Sequence, residues 1–277
     1  MDYSPQKIKS TLNENSFNIK KKYGQNFIAD ENTIKKIINS VNIKNKSLII
    51  EIGPGIGSLT HYLSKVGTNV LCYEIDRDVE PILKQNIGNN VDIIFDDFLK
   101  RDINADIEKY DYEYLYIIAN LPYYITTPIM IKIIEENLNI EKIAVMVQKE
   151  VGNRFKAKPN TKDYNSLSIY LNYFYEVKKL TDVSRNIFIP VPNVDSVVIE
   201  FNKKENRLIA DNEEIFFKLV RDSFKYKRKN LRNNLKNYDQ KIIENVLKKI
   251  GYDLSVRAEQ LSIETFINIA NELNKKR

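Results

Sequence analysis

The fold is decided by Leu48-Ile49-Ile50-Glu51-Ile52-Gly53-Pro54-Gly55-Ile56-Gly57. An apolar run, broken only by Glu51, stops at three glycines spaced two apart, and the amphipathic stretch Ser58–Val66 follows at once. That order is strand, tight turn, helix, the first half of a nucleotide-binding βαβ unit. Glycine tolerates positive φ and lets backbone approach a ligand with no Cβ in the way. Ser58 is placed to cap the next helix, whose N–H groups face the same space. Taken alone, the pattern also fits any tight βα turn of an α/β protein.

The spacing is Gly-x-Gly-x-Gly, whereas the dinucleotide fingerprint is Gly-x-Gly-x-x-Gly. An acid, Glu51, stands two positions before the first glycine. A phosphate suits a helix N-terminus, but a carboxylate beside it repels phosphate and favours a cationic ligand. The second strand, Asn69–Tyr73, ends at Glu74, 21 residues after Gly53. A carboxylate there accepts hydrogen bonds from ribose hydroxyls. Together these features ask for a nucleoside with little or no phosphate, and S-adenosyl-L-methionine fits.

A chain of 277 residues suits one large domain, or a large one plus a small one. Its hydrophobic share of 43% and charged share of 29% are those of a globular protein. No apolar run approaches the roughly 18–20 residues of a membrane span. Met1–Lys22 lacks the apolar core of a secretory signal, so a cytoplasmic protein is expected. Cys72 and His61 are the only residues of their types, which excludes an intramolecular disulfide and a His/Cys metal cluster. Hydrolytic pair chemistry would have to use His61, where a solvated helical side chain is the simpler reading. Cys72 is expected as a small buried strand residue. The net charge of +6 favours an anionic partner, usually nucleic acid, although the chain is rich in lysine throughout.

Met1–Lys22 reads as a mobile basic arm, either a solvated tail or a nucleic-acid contact. Asp30 is placed to cap a helix with Ile34, Ile37, Ile38 and Val41 at helical spacing. A third strand near Val91–Phe95 ends at Asp96-Asp97-Phe98. In an open parallel sheet such a carboxylate points into the ligand crevice, where Asp97 can take an adenine amino group with Phe98 on its face; a solvated acidic loop is the alternative. Strand four, Tyr114–Ala119, ends in Asn120-Leu121-Pro122-Tyr123. A fifth strand, Lys142–Gln148, an aromatic helix, Ser166–Tyr175, and a last strand, Val194–Phe201, follow. After a charged linker at 202–207 only helical periodicity remains. Within it Lys225-Tyr226-Lys227-Arg228-Lys229-Asn230-Leu231-Arg232 holds five basic residues in eight, which reads as a phosphate-binding surface.

Methylating an exocyclic base amine is difficult because its lone pair is delocalised into the ring. Two acceptors binding both N–H groups favour a more tetrahedral nitrogen whose lone pair faces the methyl donor. Asn120 offers a side-chain carbonyl, and the backbone carbonyl of Leu121 is a second acceptor on a turn fixed by Pro122. Tyr123 can stack on the base. Rate then comes from positioning and from acceptors placed where positive charge develops. No general base is required. Alone, the motif also reads as an ordinary Asn-x-Pro turn.

Gly24-Gln25-Asn26-Phe27, Glu51–Gly57, Glu74-Ile75-Asp76, Asp97-Phe98, Asn120–Pro128 and Phe188–Ser196 stand in the order and spacing of the rRNA adenine N6-dimethyltransferases, which the chain resembles from about Lys20 to its C-terminus. It looks most like the KsgA (RsmA) type, which dimethylates two adjacent adenosines in the 3′-terminal hairpin loop of 16S rRNA late in small-subunit assembly. The resemblance implies a seven-stranded, Rossmann-like methyltransferase sheet over 23–202 and a small helical domain over 208–277 that binds RNA or the subunit. It implies S-adenosyl-L-methionine contacts at Asn26, Ile28, Gly53, Glu74, Asp97 and Asn120. It implies target-adenine contacts at Asn120, Leu121 and Tyr123, with Phe188 on the other face of the base. The basic residues Lys225, Lys227, Arg228, Lys229 and Arg232 are the expected RNA contacts. A monomer acting on the 30S subunit or its late precursor is expected, with no metal and no membrane. The neighbouring reading is an Erm-type enzyme acting on 23S rRNA. Asn120-Leu121, Arg228–Leu235 and Arg257–Ser262 look like the KsgA side. A non-catalytic RNA-binding assembly factor on the same fold is the third reading.

Overall fold

The computed structural model describes residues 3–276. In chain order the elements are α1 (Pro5–Glu14), β1 (Phe27–Ile28), α2 (Glu31–Val41), β2 (Ser47–Ile52), α3 (Thr60–Val66), β3 (Asn69–Tyr73), α4 (Glu80–Asn86), β4 (Val91–Ile94), α5 (Ile103–Ile107), β5 (Tyr114–Asn120), α6 (Thr126–Glu135), β6 (Ile140–Gln148) and α7 (Lys149–Phe155). Then come α8 (Ser166–Phe174), β7 (Tyr175–Val183), β8 (Phe188–Ile189), β9 (Ser196–Lys203), α9 (Glu213–Ser223), α10 (Leu231–Asn234), α11 (Gln240–Lys248) and α12 (Ile263–Asn274). Two compact units result: Met1–Gly152 with Val177–Lys203, and Asn153–Glu176 with Lys204–Arg277.

The first unit carries a seven-stranded sheet in the order β4-β3-β2-β5-β6-β9-β7. β2 lies inside the sheet between β3 and β5 and is buried along its whole length, which is why it reads as an apolar run broken only by Glu51. It pairs in parallel with β3 and β5, β5 with β6, and β9 closes antiparallel on β6. The chain lays β3 and β4 on one side of β2, then returns to lay β5 and β6 on the other. Between the C-terminal ends of β2 and β5 the order reverses, and ligands of open α/β sheets bind at that crevice. Ile34, Ile37, Ile38 and Val41 of α2 share one buried core with Ile49, Cys72, Tyr116 and Val198 of the sheet, and Asp30 caps α2 by accepting from Thr33 N at 2.9 Å. Cys72 is buried, as its strand position predicts.

The expected basic arm is instead a docked helix. Ser4 caps α1, Pro5 occupies its first turn, and Tyr3, Ile8 and Leu12 are buried against Phe27, Ile56 and Ile82. The spacing of Ile8, Thr11 and Leu12 is helical, but so short an apolar face is submerged among lysines in the sequence. β7 also escapes pattern reading: it is the sheet's edge, and only its end residues Tyr175 and Val183 are buried. A polar, lysine-bearing edge strand is a protected edge, and it carries little apolar alternation.

The second unit is helical and has its own core, built on Phe216, Leu219, Val220, Ile243, Leu247, Phe266 and Ile269. Residues 153–176, expected with the sheet, belong to this unit. Ile169 and Tyr173 of α8 are buried in its core, and the Tyr173 ring stacks on Phe216 at 4.6 Å. Among the described residues, no helix is long and apolar enough to cross a membrane.

Candidate active site

The glycine turn after β2 and the Asn120 turn after β5 meet in one pocket. Its lining holds Asn26, Ile28, Gly53, Glu74, Asp97, Asn120, Leu121 and Tyr123 together. The turn folds back on its neighbours: Gly53 N donates to Tyr73 O at 2.9 Å, and Gly55 N donates to Glu74 Oε2 at 2.9 Å. Gly55 sits at φ +56°, and a Cβ there would stand 2.8 Å from the Phe27 ring. Glycine is therefore required at this point. Glu74 Oε1 also accepts from Asp76 N at 2.8 Å, so both its oxygens are aimed by backbone.

Above the turn, Tyr23–Ile28 forms a cover. Asp76, 2% exposed, accepts from Lys20 Nζ at 2.5 Å and from Gln25 Nε2 at 2.7 Å, while Lys20 N donates to Gln25 Oε1. These bonds bring the Asn26 carbonyl over β5, where it accepts from Asn120 Nδ2 at 3.0 Å. A backbone carbonyl can only accept, so the amide is oriented: Nδ2 faces the cover. Among the described residues Asn120 Oδ1 is left buried with no partner. A buried acceptor without a donor costs about 1–3 kcal/mol, a cost that a donor entering the pocket would relieve. Ser58 Oγ, also on the pocket wall, is a second such atom. Ser58 is not the helix cap expected of it; α3 starts without a side-chain cap.

Leu121 N continues the β5–β6 ladder to Met146 O, and Pro122 follows at φ −58°. The Tyr123 hydroxyl lies 2.6 Å from Ser196 Oγ, which fixes the ring at the wall, and burial raises its pKa. Phe188 departs from expectation. It is fully buried and does not line the pocket; pairing of β8 with β1 sets it opposite Ile28 and turns its ring into the core. Tyr124, not singled out from sequence, edges the pocket and is 52% exposed. Its neighbour Tyr123 was the signal available for finding it. His61 lies outside the pocket and is not the solvated side chain expected. It is half-buried, its Nδ1 is 3.0 Å from Asn86 O, and burial lowers its pKa.

Among the described residues, four carboxyl groups line the pocket, Glu51, Glu74, Asp96 and Asp97, and no lysine, arginine or histidine does. That composition disfavours a pyrophosphate and suits a cationic nucleoside. Glu51 contributes less charge than its sequence position implied. Burial pushes its pKa up to about 8, with Glu74 adding repulsion, so the neutral acid prevails at pH 7. It sits under the turn, accepting from Cys72 Sγ at 3.7 Å. Burial likewise raises the pKa of Glu74, against the lowering effect of the Asp76 and Gly55 N–H groups.

On the helical unit Lys225, Lys227, Arg228, Lys229 and Arg232 are all exposed, in the turn between α9 and α10 and at the start of α10. Tyr226 projects among them, 57% exposed. Among the described residues none of the five forms a salt bridge, so their charge is available to a polyanion. No group of three His, Cys, Asp or Glu side chains able to hold a metal occurs among the described residues.

The state of Glu51 has a measurable consequence. With a folded pKa near 8 against about 4.3 when unfolded, the native chain holds a proton that the unfolded chain releases. Wild-type stability relative to Glu51→Gln therefore falls as pH rises from about 5 to 8 and levels off above that. Thermal unfolding of both proteins across this range measures it, and a difference independent of pH would mean that Glu51 titrates as an ordinary carboxylate.

Comparison with known proteins agrees with this geometry. The family described as ribosomal RNA adenine dimethylase matches residues 16–275. A Bacillus pumilus protein named ribosomal RNA small subunit methyltransferase A is 42% identical, over 98% of this chain and 97% of its own. A Staphylococcus haemolyticus protein of the same name is 41% identical over 97% and 95%. Among solved structures, a dimethyladenosine transferase from Plasmodium falciparum superposes with a TM-score of 0.75 at 26% identity, covering 90% of this chain and 98% of that one. The 23S rRNA methyltransferase ErmE, at 24% identity and a TM-score of 0.66, shares the fold. The chain belongs to the ribosomal RNA adenine dimethylase family.

Proposed function

We propose that the chain is an S-adenosyl-L-methionine-dependent enzyme that dimethylates N6 of two adjacent adenosines in the 3′-terminal hairpin loop of 16S rRNA. It acts as a cytoplasmic monomer on the small subunit or its late precursor. The observation that carries the reading is Asn120 Oδ1, a buried acceptor with no partner, fixed at the wall of an acid-lined nucleoside pocket.

The donor supplies a methyl group on a positively charged sulfur. On this reading Glu74 accepts from the ribose hydroxyls and Asp97 from the adenine amine of that donor, with Phe98 beside it and Asn26, Ile28 and Gly53 against it; that all six line one pocket supports the assignment. Asn120 Oδ1 accepts one hydrogen of the target amine and the Leu121 carbonyl the other. The nitrogen becomes more tetrahedral and its lone pair is released from the ring. Tyr123, tethered to Ser196, stacks on the target base. S-adenosyl-L-methionine bound in the pocket would supply the methyl group, its C–S electrons staying on sulfur as the N–C bond formed, and the proton on nitrogen would pass to water. Charge developing on the amine lies against Asn120 Oδ1, so the acceptor binds the transition state more strongly than the ground state. The exposed cations of the helical unit bind rRNA phosphates. The curated relatives at 41–42% identity carry a small-subunit name, which favours this reading over an Erm-type activity.

Incubation with labelled S-adenosyl-L-methionine and unmethylated small or large subunits, followed by mass spectrometry of the RNA, tests the substrate. Two adjacent dimethyladenosines near the 3′ end of the small-subunit RNA are expected. Label confined to large-subunit RNA would reassign the enzyme, and binding without label would make it a non-catalytic factor. Asn120→Ala should slow methyl transfer by about 100- to 1000-fold while subunit binding persists; near-normal turnover would remove Asn120 from the chemistry. Charge reversal at Arg228 and Arg232 should weaken subunit binding and flatten its dependence on salt, with cofactor affinity unchanged. Equal binding at low and moderate salt would take that turn out of the interface.

A further inference from the structure

None of α1 lines the pocket, yet α1 and Tyr3, which directly precedes its cap Ser4, are packed against two of its walls. The Tyr3 hydroxyl donates to Gly57 O at 3.1 Å in a buried bond. The same carbonyl accepts from His61 N at 3.0 Å, the bond that leads the glycine turn into α3. Tyr3, Ile8 and Leu12 share one small core with Phe27, whose ring lies on Gly55 at the heart of the turn. Phe27 directly follows Asn26, whose carbonyl orients Asn120. The core also contains Ile189, paired with Phe27 across β1 and β8.

We propose that α1 is a positioning element for the cofactor: docked through Tyr3, Ile8 and Leu12, it fixes the glycine turn and the Asn26–Phe27 cover, so cofactor binding and α1 docking stabilise each other. This rests on the reading of the pocket as the S-adenosyl-L-methionine site. The physical reason is rigidity at a distance of one side chain. A turn with three glycines has wide conformational freedom when unbound, and binding must remove it. The Tyr3 bond and the Phe27 ring remove it beforehand. Linkage is reciprocal, so whatever α1 contributes to cofactor affinity the cofactor returns to α1 docking.

Tyr3→Phe deletes the bond and keeps the ring. Calorimetry with S-adenosyl-L-methionine should show affinity reduced about fivefold, the worth of one neutral hydrogen bond, while kcat on small subunits at saturating cofactor stays within about twofold. A purely structural role would lower the melting temperature without this split between affinity and turnover. Hydrogen exchange on the wild-type chain gives an independent readout: amides of α1 should exchange more slowly when the cofactor is added. Unchanged affinity in Tyr3→Phe, or α1 exchange indifferent to cofactor, overturns the proposal. A wild-type chain that binds no S-adenosyl-L-methionine overturns the reading of the pocket itself, and the same titration reveals it.

Discussion

The site depends on one hydrogen bond, from Asn120 Nδ2 to the carbonyl of Asn26. It joins residues 94 positions apart, one in the cover and one at the end of β5. Without it the amide could rotate, and the free acceptor at the pocket wall would be lost for part of the time. The bond is possible because each partner is held elsewhere. Asn120 is fixed by the β5–β6 ladder, with Met146 as its pairing residue. The cover is fixed by Asp76 through Lys20 and Gln25. Asp76 in turn stands two residues beyond Glu74, whose carboxyl group binds the Asp76 N–H. The polar residues at the ends of β3 and β5 are thus linked through the cover, by backbone groups at Asp76 N, Lys20 N and Asn26 O and by the side-chain bonds of Asp76 to Lys20 and Gln25.

Charge is divided between the two units. Among the described residues the pocket is lined by acids with no basic side chain, whereas the turn after α9 and the start of α10 carry five exposed cations that form no salt bridge. A cationic nucleoside and a polyanionic RNA impose opposite demands, and a basic residue in the pocket would attract phosphate to the place where the methyl donor belongs. Keeping Glu51 protonated beneath the turn moderates the cost of burying so many carboxyl groups together, since a neutral acid neither repels Glu74 nor needs a counter-ion.

The central sheet and most of the pocket were legible in the sequence because they come from strong local signals: buried parallel strands, a glycine turn, and acids and an amide at strand ends. Glu74, Asp97 and Asn120 are found together because each stands at or just beyond the C-terminal end of a parallel strand, and those ends line one crevice of the sheet. What was illegible depends on tertiary contact. The apolar face of α1 is three residues deep in a lysine-rich stretch, and only Phe27, Ile56 and Ile82 give it somewhere to go. The segment 153–176 carries no composition change at its start, so its allegiance to the helical unit appears only in the packing of Tyr173 on Phe216.

Phe188 shows where a resemblance and a structure part company. Its motif places it near the base, but the β1–β8 pairing is antiparallel with Ile28 opposite Phe188, and side chains of paired residues lie on the same face of such a ladder. Ile28 reaches both the pocket and the core, while Phe188 lies wholly in the core with Ile34 and Val198. The aromatic surface actually presented at the pocket is that of Tyr123, tethered to Ser196, and of Tyr124, exposed at its edge. The six-residue stretch Asn120–Ile125 therefore brings to one pocket wall a buried acceptor, a turn set by Pro122 and two aromatic side chains, with no contribution from Phe188.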